Sequence, residues 1–178
     1  MDSATQWGVI TTIVGILTFL AGRFFEQRKL AQANRLKLLE PVEEWVQGAS
    51  RIIGIVGDDI SAIAVGLPSP IGYSPRDRIE AGKALAESKA KVLGILRSHA
   101  LTTWGTRKFS VRLSTLVNQL SLAIEREYMP AHSRLLDKMN RKEDLSVDMM
   151  ALVATASAIN VIIQEIHMCL SQLKIRFT

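Results

Sequence analysis

The sequence predicts an all-α protein: a single N-terminal transmembrane helix, a helical stalk, then an antiparallel up-down four-helix bundle. Three observations predict it. No charged residue occurs between Ser3 and Gly22. Beyond that stretch, apolar residues recur in steps of three and four, the period of a buried helical face. No alternating apolar run marks a strand, and proline is scarce, with five in 178 residues.

The first element reads Trp7-Gly-Val-Ile-Thr-Thr-Ile-Val-Gly-Ile-Leu-Thr-Phe-Leu-Ala-Gly22. About twenty helical residues span roughly 30 Å, the thickness of the hydrocarbon layer. Trp7 at one end and Phe24-Phe25 at the other suit the two interfaces, and Arg23 can snorkel outward. A cleaved signal peptide needs a basic leader, whereas Asp2 is the one charged side chain among the first six residues. Positive charge stays on the cytoplasmic face. The expected location is therefore a cell or inner membrane, single-pass, with the N-terminus outside and the C-terminal domain cytoplasmic. Residues 1–22 form a short external N-terminus and the transmembrane helix, 23–40 a basic helical stalk, and 41–178 a cytoplasmic helical bundle.

Small residues are regularly spaced along the first helix. Gly8, Gly15 and Gly22 lie seven apart, with Thr11 and Thr18 between them. Lipid gives helices no hydrophobic reason to associate, so they pair where backbones approach closely, and such a seam permits it. Self-association is one reading. The other is that Gly and Thr are simply common in membrane helices.

The formal net charge is +5. Residues 23–40 hold Arg23, Arg28, Lys29, Arg35 and Lys37 against Glu26 and Glu40, so the basic excess is densest just after the apolar stretch. That placement suits a lipid bilayer as partner. A nucleic-acid binder would carry its basic stripe with a motif on the folded domain, and none is present; no nucleic-acid partner is expected. The one cysteine, Cys169, excludes a disulfide framework within the chain.

Pro41, followed by Glu43 and Glu44, reads as a helix start or as a kink in one continuous helix. The next apolar face is Val42, Trp45, Val46, Ala49, Ile52, Ile53, Val56, Ile60 and Ile63, ending near Gly66. Gly66–Ser74 is a loop by composition, and Ser74-Pro75-Arg76-Asp77 starts a helix with Leu85, Val92, Leu93, Leu96 and Ala100 buried. A turn at 102–106 precedes a helix carrying Phe109, Leu113, Leu116, Val117, Leu120, Ala123, Ile124 and Tyr128. Pro130 should break or bend it, with Leu135, Leu136 and Met139 continuing a shorter piece. The last helix begins near Ser146 with a Leu145–Met150 staple. Its stripe is Val153, Ala156, Ile159 or Asn160, Ile163, Ile166, Leu170, Leu173 and Phe177.

An up-down order brings the Trp104 turn, with Arg107 and Lys108, to the same end as Lys174 and Arg176. With Arg23, Phe24, Phe25, Arg28 and Lys29, these are the expected membrane-proximal basic and aromatic residues. Each basic residue near an anionic surface contributes about 1 kcal/mol. A straight stalk would hold the bundle end about 27 Å away, and ordinary solvated turns are the plainer reading.

Chemistry is sparse. His99, His132 and His167 show no metal-binding spacing. Glu165 and Cys169 share a face, but His167 projects roughly opposite, and metal ligands must converge. Cys169 packs as a small apolar residue on this reading. Asp58 and Asp59 are adjacent on a helix and diverge by about 100°. No phosphate loop, dinucleotide fingerprint or nucleophile elbow occurs. No catalytic, cofactor-binding or metal-binding residue is expected. The expected function is a non-enzymatic interaction or scaffold module that binds a protein partner or its own copies. The alternatives are an oligomerising membrane effector or pore-forming protein and, third, a helical enzyme with an unrecognised pocket.

Overall fold

A computed structural model describes residues 3–64, 75–98, 101–102 and 105–177. Side chains are described from residue 14 onward, those of 59, 60, 63, 64, 75–79 and 81 excepted. Among the described residues the protein is all-α, with no strand. The helices are α1 (Ser3–Lys37), α2 (Glu40–Ala64), α3 (Pro75–Leu96), α4 (Arg107–Leu122), α5 (Met129–Asn140) and α6 (Ser146–Phe177); a π-helical segment, Ala123–Tyr128, joins α4 to α5.

The apolar N-terminal stretch and the basic segment after it form one helix, α1. Every side chain from Val14 to Leu30 is exposed. Burial begins at the far end of α1, where Leu36 packs against the core and Leu39, between α1 and α2, is wholly buried. Pro41 is the second residue of α2. Its missing N–H falls where a helix has no partner to offer it, so it starts a new helix and does not kink an old one. Glu40 and Glu43 place negative charge on the first turn of α2.

α2 packs on α3, α3 on α4, α4 on α6, and α6 returns to α2; the π segment and α5 also lie on α6. Val42, Trp45, Val46, Ala49, Ile52, Ile53 and Val56 are buried, as are Leu85, Val92 and Leu96, while Leu93 is half-buried. From the third predicted face, Leu113, Leu116, Val117, Leu120, Ile124 and Tyr128 are buried, and Phe109 and Ala123 are half-buried. Burying one such side chain contributes about 1.5–3 kcal/mol. Ile60, Ile63 and Ala100 lie outside the described side chains.

Pro130 does not break its helix. A proline removes one backbone donor and crowds the carbonyl four residues back. The chain answers with the π segment just before it, where the Met129 N–H reaches back to Ile124 O. The wider turn passes the proline and the helix continues. Tyr128, inside this segment, donates its hydroxyl to Ile53 O at 3.1 Å and so ties it to α2.

α5 stops in a Schellman turn. Glu143 N–H reaches Lys138 O at 3.1 Å and Lys142 N–H reaches Met139 O at 3.1 Å, with Lys142 in the left-handed region at φ 57°. α6 then starts on Asp144, whose carboxylate accepts the Ser146 N–H at 2.9 Å and the Ser146 hydroxyl at 3.1 Å. Those bonds hold the Asp144 pKa below the usual carboxylate range. Across the same turn Lys138 lies 2.6 Å from Asp148, and that hydrogen bond raises the lysine pKa. A depressed carboxylate contributes stability above its usual pKa of about 4 and loses it as pH falls further; the raised lysine contributes below about 10 and loses it above. Between pH 7 and pH 3, the melting temperature of Asp144→Asn should therefore fall less than that of the wild-type chain, as followed by circular dichroism.

Of the two alternatives on the α6 stripe, Ile159 is the buried one, wholly so, and Asn160 is exposed. Two other details differ from expectation. Val153 is 53% exposed, and Leu152 takes the inward position. The expected staple partner Met150 is exposed as well, and Met149 packs on the core near Leu145 instead. Each shift is a single residue, about 100° of rotation on a helix apolar on more than one side.

Candidate functional site

Two apolar surfaces lie on the helical domain, on different helices. The first is the outward side of α6. Val147, Ala154, Val161 and Met168 fall seven residues apart and are all exposed, Val147 at 67%, Val161 at 56% and Met168 at 59%. Met150 adds to this side, at 67% exposed. From Met149 to Gln164 no residue is charged. The opposite side of α6 supplies Leu152, Ile159, Ile163, Ile166, Leu170, Leu173 and Phe177 to the core. With apolar residues on both sides, α6 is long and apolar enough to cross a membrane.

The second surface is a cleft between α2 and α3 of about 450 Å³. Trp45, Ile52, Leu85 and Val92 form its floor, and Met129 closes one side. Trp45 is fixed by its ring N–H, which donates to Leu85 O at 2.9 Å. Glu44, Arg51 and Lys91 stand at the mouth, all exposed.

The chain matches no protein-family model, no curated protein and no solved structure.

Of the glycine seam, Gly15 and Gly22 face open space: a methyl group added at either would meet nothing within 4 Å. Thr18 turns its hydroxyl back to Val14 O at 2.8 Å. Gly8 and Thr11 lie on the α1 backbone, and their side chains are outside the described residues. Beyond the seam, Arg23 lies over the Phe19 ring at 5.7 Å, and Phe24 meets Phe25 edge to face at 6.4 Å. Arg28 and Lys29 are exposed.

The structure does bring the start of α4 to the end of α6. Arg176 lies 5.0 Å from the Phe109 ring centre, the Cys169 thiol is 3.7 Å from Phe109 O, and Arg112 pairs with Glu165 at 3.1 Å. Arg35, at the end of α1, joins the same corner over Phe177 at 5.7 Å. Lys174 is paired with Glu43 at 2.5 Å. Two of the cations expected to face lipid, Lys174 and Arg176, thus have partners within the chain, and Arg107 and Lys108 remain exposed beside them. Trp104 and His99 lie outside the described residues.

The remaining polar candidates stay apart. Cys169 is buried, and desolvation pushes its thiol above the usual range, so it is a poor nucleophile. His132 is buried on α5 and His167 is exposed on α6. Asp58 is exposed, and the Asp59 side chain is not described. Among the described residues no three His, Cys, Asp or Glu side chains converge as metal ligands would.

The outward side of α6 is not among the residues that the buried-stripe pattern points to. The signal was present in the uncharged run from Met149 to Gln164 and in the sevenfold spacing of Val147, Ala154, Val161 and Met168. One buried stripe is enough to satisfy the helical pattern, so the pattern alone does not single out the second side.

Proposed function

We propose that the chain is a membrane-anchored, non-enzymatic interaction module that assembles with copies of itself through the outward side of α6. Residues 3–22 of α1 anchor it. The rest forms an antiparallel up-down bundle on the cytoplasmic side, in which α4, the π segment and α5 serve as one long third helix. The antiparallel pairing of Phe109 with Cys169 and of Arg112 with Glu165 supports that order.

The observation that carries the self-assembly is the exposed stripe Val147, Ala154, Val161 and Met168. Apolar residues every seven positions keep facing an equally spaced helix over several turns, and two copies of α6 match each other by construction. No like charges oppose each other between Met149 and Gln164. The open glycine seam of α1 favours a second reading, an effector or pore-former assembled within the bilayer.

Mass photometry of the full chain in mild detergent separates these readings. A wild-type oligomer that Val161→Glu weakens at least tenfold, with unchanged circular dichroism, supports assembly through α6. An oligomer dissolved by Gly15→Leu but not by Val161→Glu moves the effector reading to the front. A monomer at every concentration sinks both.

A further inference from the structure

We propose that the α6 pair is parallel and in register, formed by two copies anchored in one bilayer; this rests on the reading of α1 as the anchor and of the outward side of α6 as the contact. Each stripe residue then faces the same residue of the other copy, and the C-terminal ends of both α6 helices lie together on the anchor side.

The anchors set the direction. α1 joins the domain at the C-terminal end of α6, where Arg35 lies over the Phe177 ring and Leu36 packs on the core. From Val14 to Leu30 its side chains are exposed, so α1 stands clear of the bundle. α6 has 32 residues, a length of about 48 Å. In a fully overlapped antiparallel pair the two anchors would leave from ends that far apart. In a parallel pair they leave side by side, which suits two anchors that enter one bilayer from the same side.

Charge permits the register. A parallel copy sets every residue against itself, so any charge on the contact would meet its like. The charged residues of α6 are each drawn to the chain's own domain: Asp148 to Lys138, Glu165 to Arg112, Lys174 to Glu43, and Arg176 over the Phe109 ring. His167, exposed, lies about 100° around the helix from Met168 and so at the flank. The outward row therefore brings no like charges together. Met150, Ser157 and Gln164, all exposed, follow the stripe residues by three positions, which gives the alternating steps of three and four of a two-stranded coil. In register, the Gln164 amide of one copy can donate to that of the other, a polar layer of the kind that fixes register.

The test is disulfide formation in the full chain in mild detergent, oxidised by copper phenanthroline. Ala154→Cys, Val161→Cys and Met168→Cys are made one at a time, all at exposed positions. Cys169 is buried, so the wild-type chain serves as the blank. Val111→Cys, at an exposed position on α4, measures chance collision. All three stripe variants should give covalent dimer at least tenfold above Val111→Cys, with unchanged circular dichroism. An antiparallel pair brings a position next to itself only at its centre. A position seven residues from that centre stands about 21 Å from its own copy, so at most one of the three would cross-link. Fewer than three would overturn the parallel register. One alone would leave assembly through α6 standing with the copies reversed; none would remove assembly through α6 itself, and the proposal with it.

Discussion

A chain lacking residues 1–22 is expected to move from the membrane fraction to the soluble fraction while keeping its helical domain. Val9, Ile10, Ile13, Val14, Ile16, Leu17, Phe19 and Leu20 lie in the deleted stretch. Each contributes about 0.3–0.6 kcal/mol to insertion when near the centre of a membrane helix. The core contains none of the described side chains from Val14 to Leu30 and is made of residues from Leu36 onward. The truncated chain should therefore retain its far-ultraviolet circular dichroism and nearly all of its melting temperature. The competing anchor is α6, a described helix long and apolar enough to cross a membrane. Moving α6 into lipid would strip Leu152, Ile159, Ile163, Ile166 and Leu170 from the core and break the contacts of Arg112 with Glu165 and Lys138 with Asp148. Alkaline carbonate extraction decides the matter. A truncated chain that stays in the pellet would show that α6, or an apolar surface beside it, holds the protein to the membrane.

The parts of the fold legible in the sequence were those with one apolar face. α2 and α4 each bury a single stripe, and the steps of three and four from Val42 to Val56 and from Leu113 to Tyr128 pointed to the residues that are buried. Where the pattern was ambiguous, spacing could not choose. On α6 both Leu152 and Val153, and both Ile159 and Asn160, fit a stripe within one residue, and only packing against α4 and α2 fixes the rotation. Pro130 is a different case. Its local rule, a missing donor and a crowded ring, was sound, but the remedy was a wider turn two residues upstream, which no residue type announces. The apolar cleft was beyond reach for a third reason. Trp45, Leu85 and Met129 are far apart in the chain, and they share a cavity through the way α2, α3 and the start of α5 come together.

Ile159→Ala is expected to cost about 2–5 kcal/mol, since the side chain is wholly buried and the space it leaves cannot fully collapse. Against a total of about 5–15 kcal/mol for a typical domain, that is a large share. It corresponds to a fall in melting temperature of roughly 5–20 °C for a domain of this size. Leu152→Ala should behave in the same way. Asn160→Ala and Val153→Ala, at exposed positions, should change stability by no more than about 0.5 kcal/mol. Thermal melts of the four variants thus read the rotation of α6 directly. The same rotation sets the outward side, because Val161 lies about 200° around the helix from Ile159, at 100° per residue. If Asn160→Ala proves as costly as Ile159→Ala, the helix is turned by one position. Val161 and Met168 then swing towards their neighbours, and the stripe proposed to join two copies is no longer presented. If the costs separate as expected, the packing that buries Ile159, Ile163 and Ile166 also obliges an uncharged apolar row to face outward. A protein that keeps such a row exposed as a monomer pays for it in solubility, which is the physical reason to look for a second copy there.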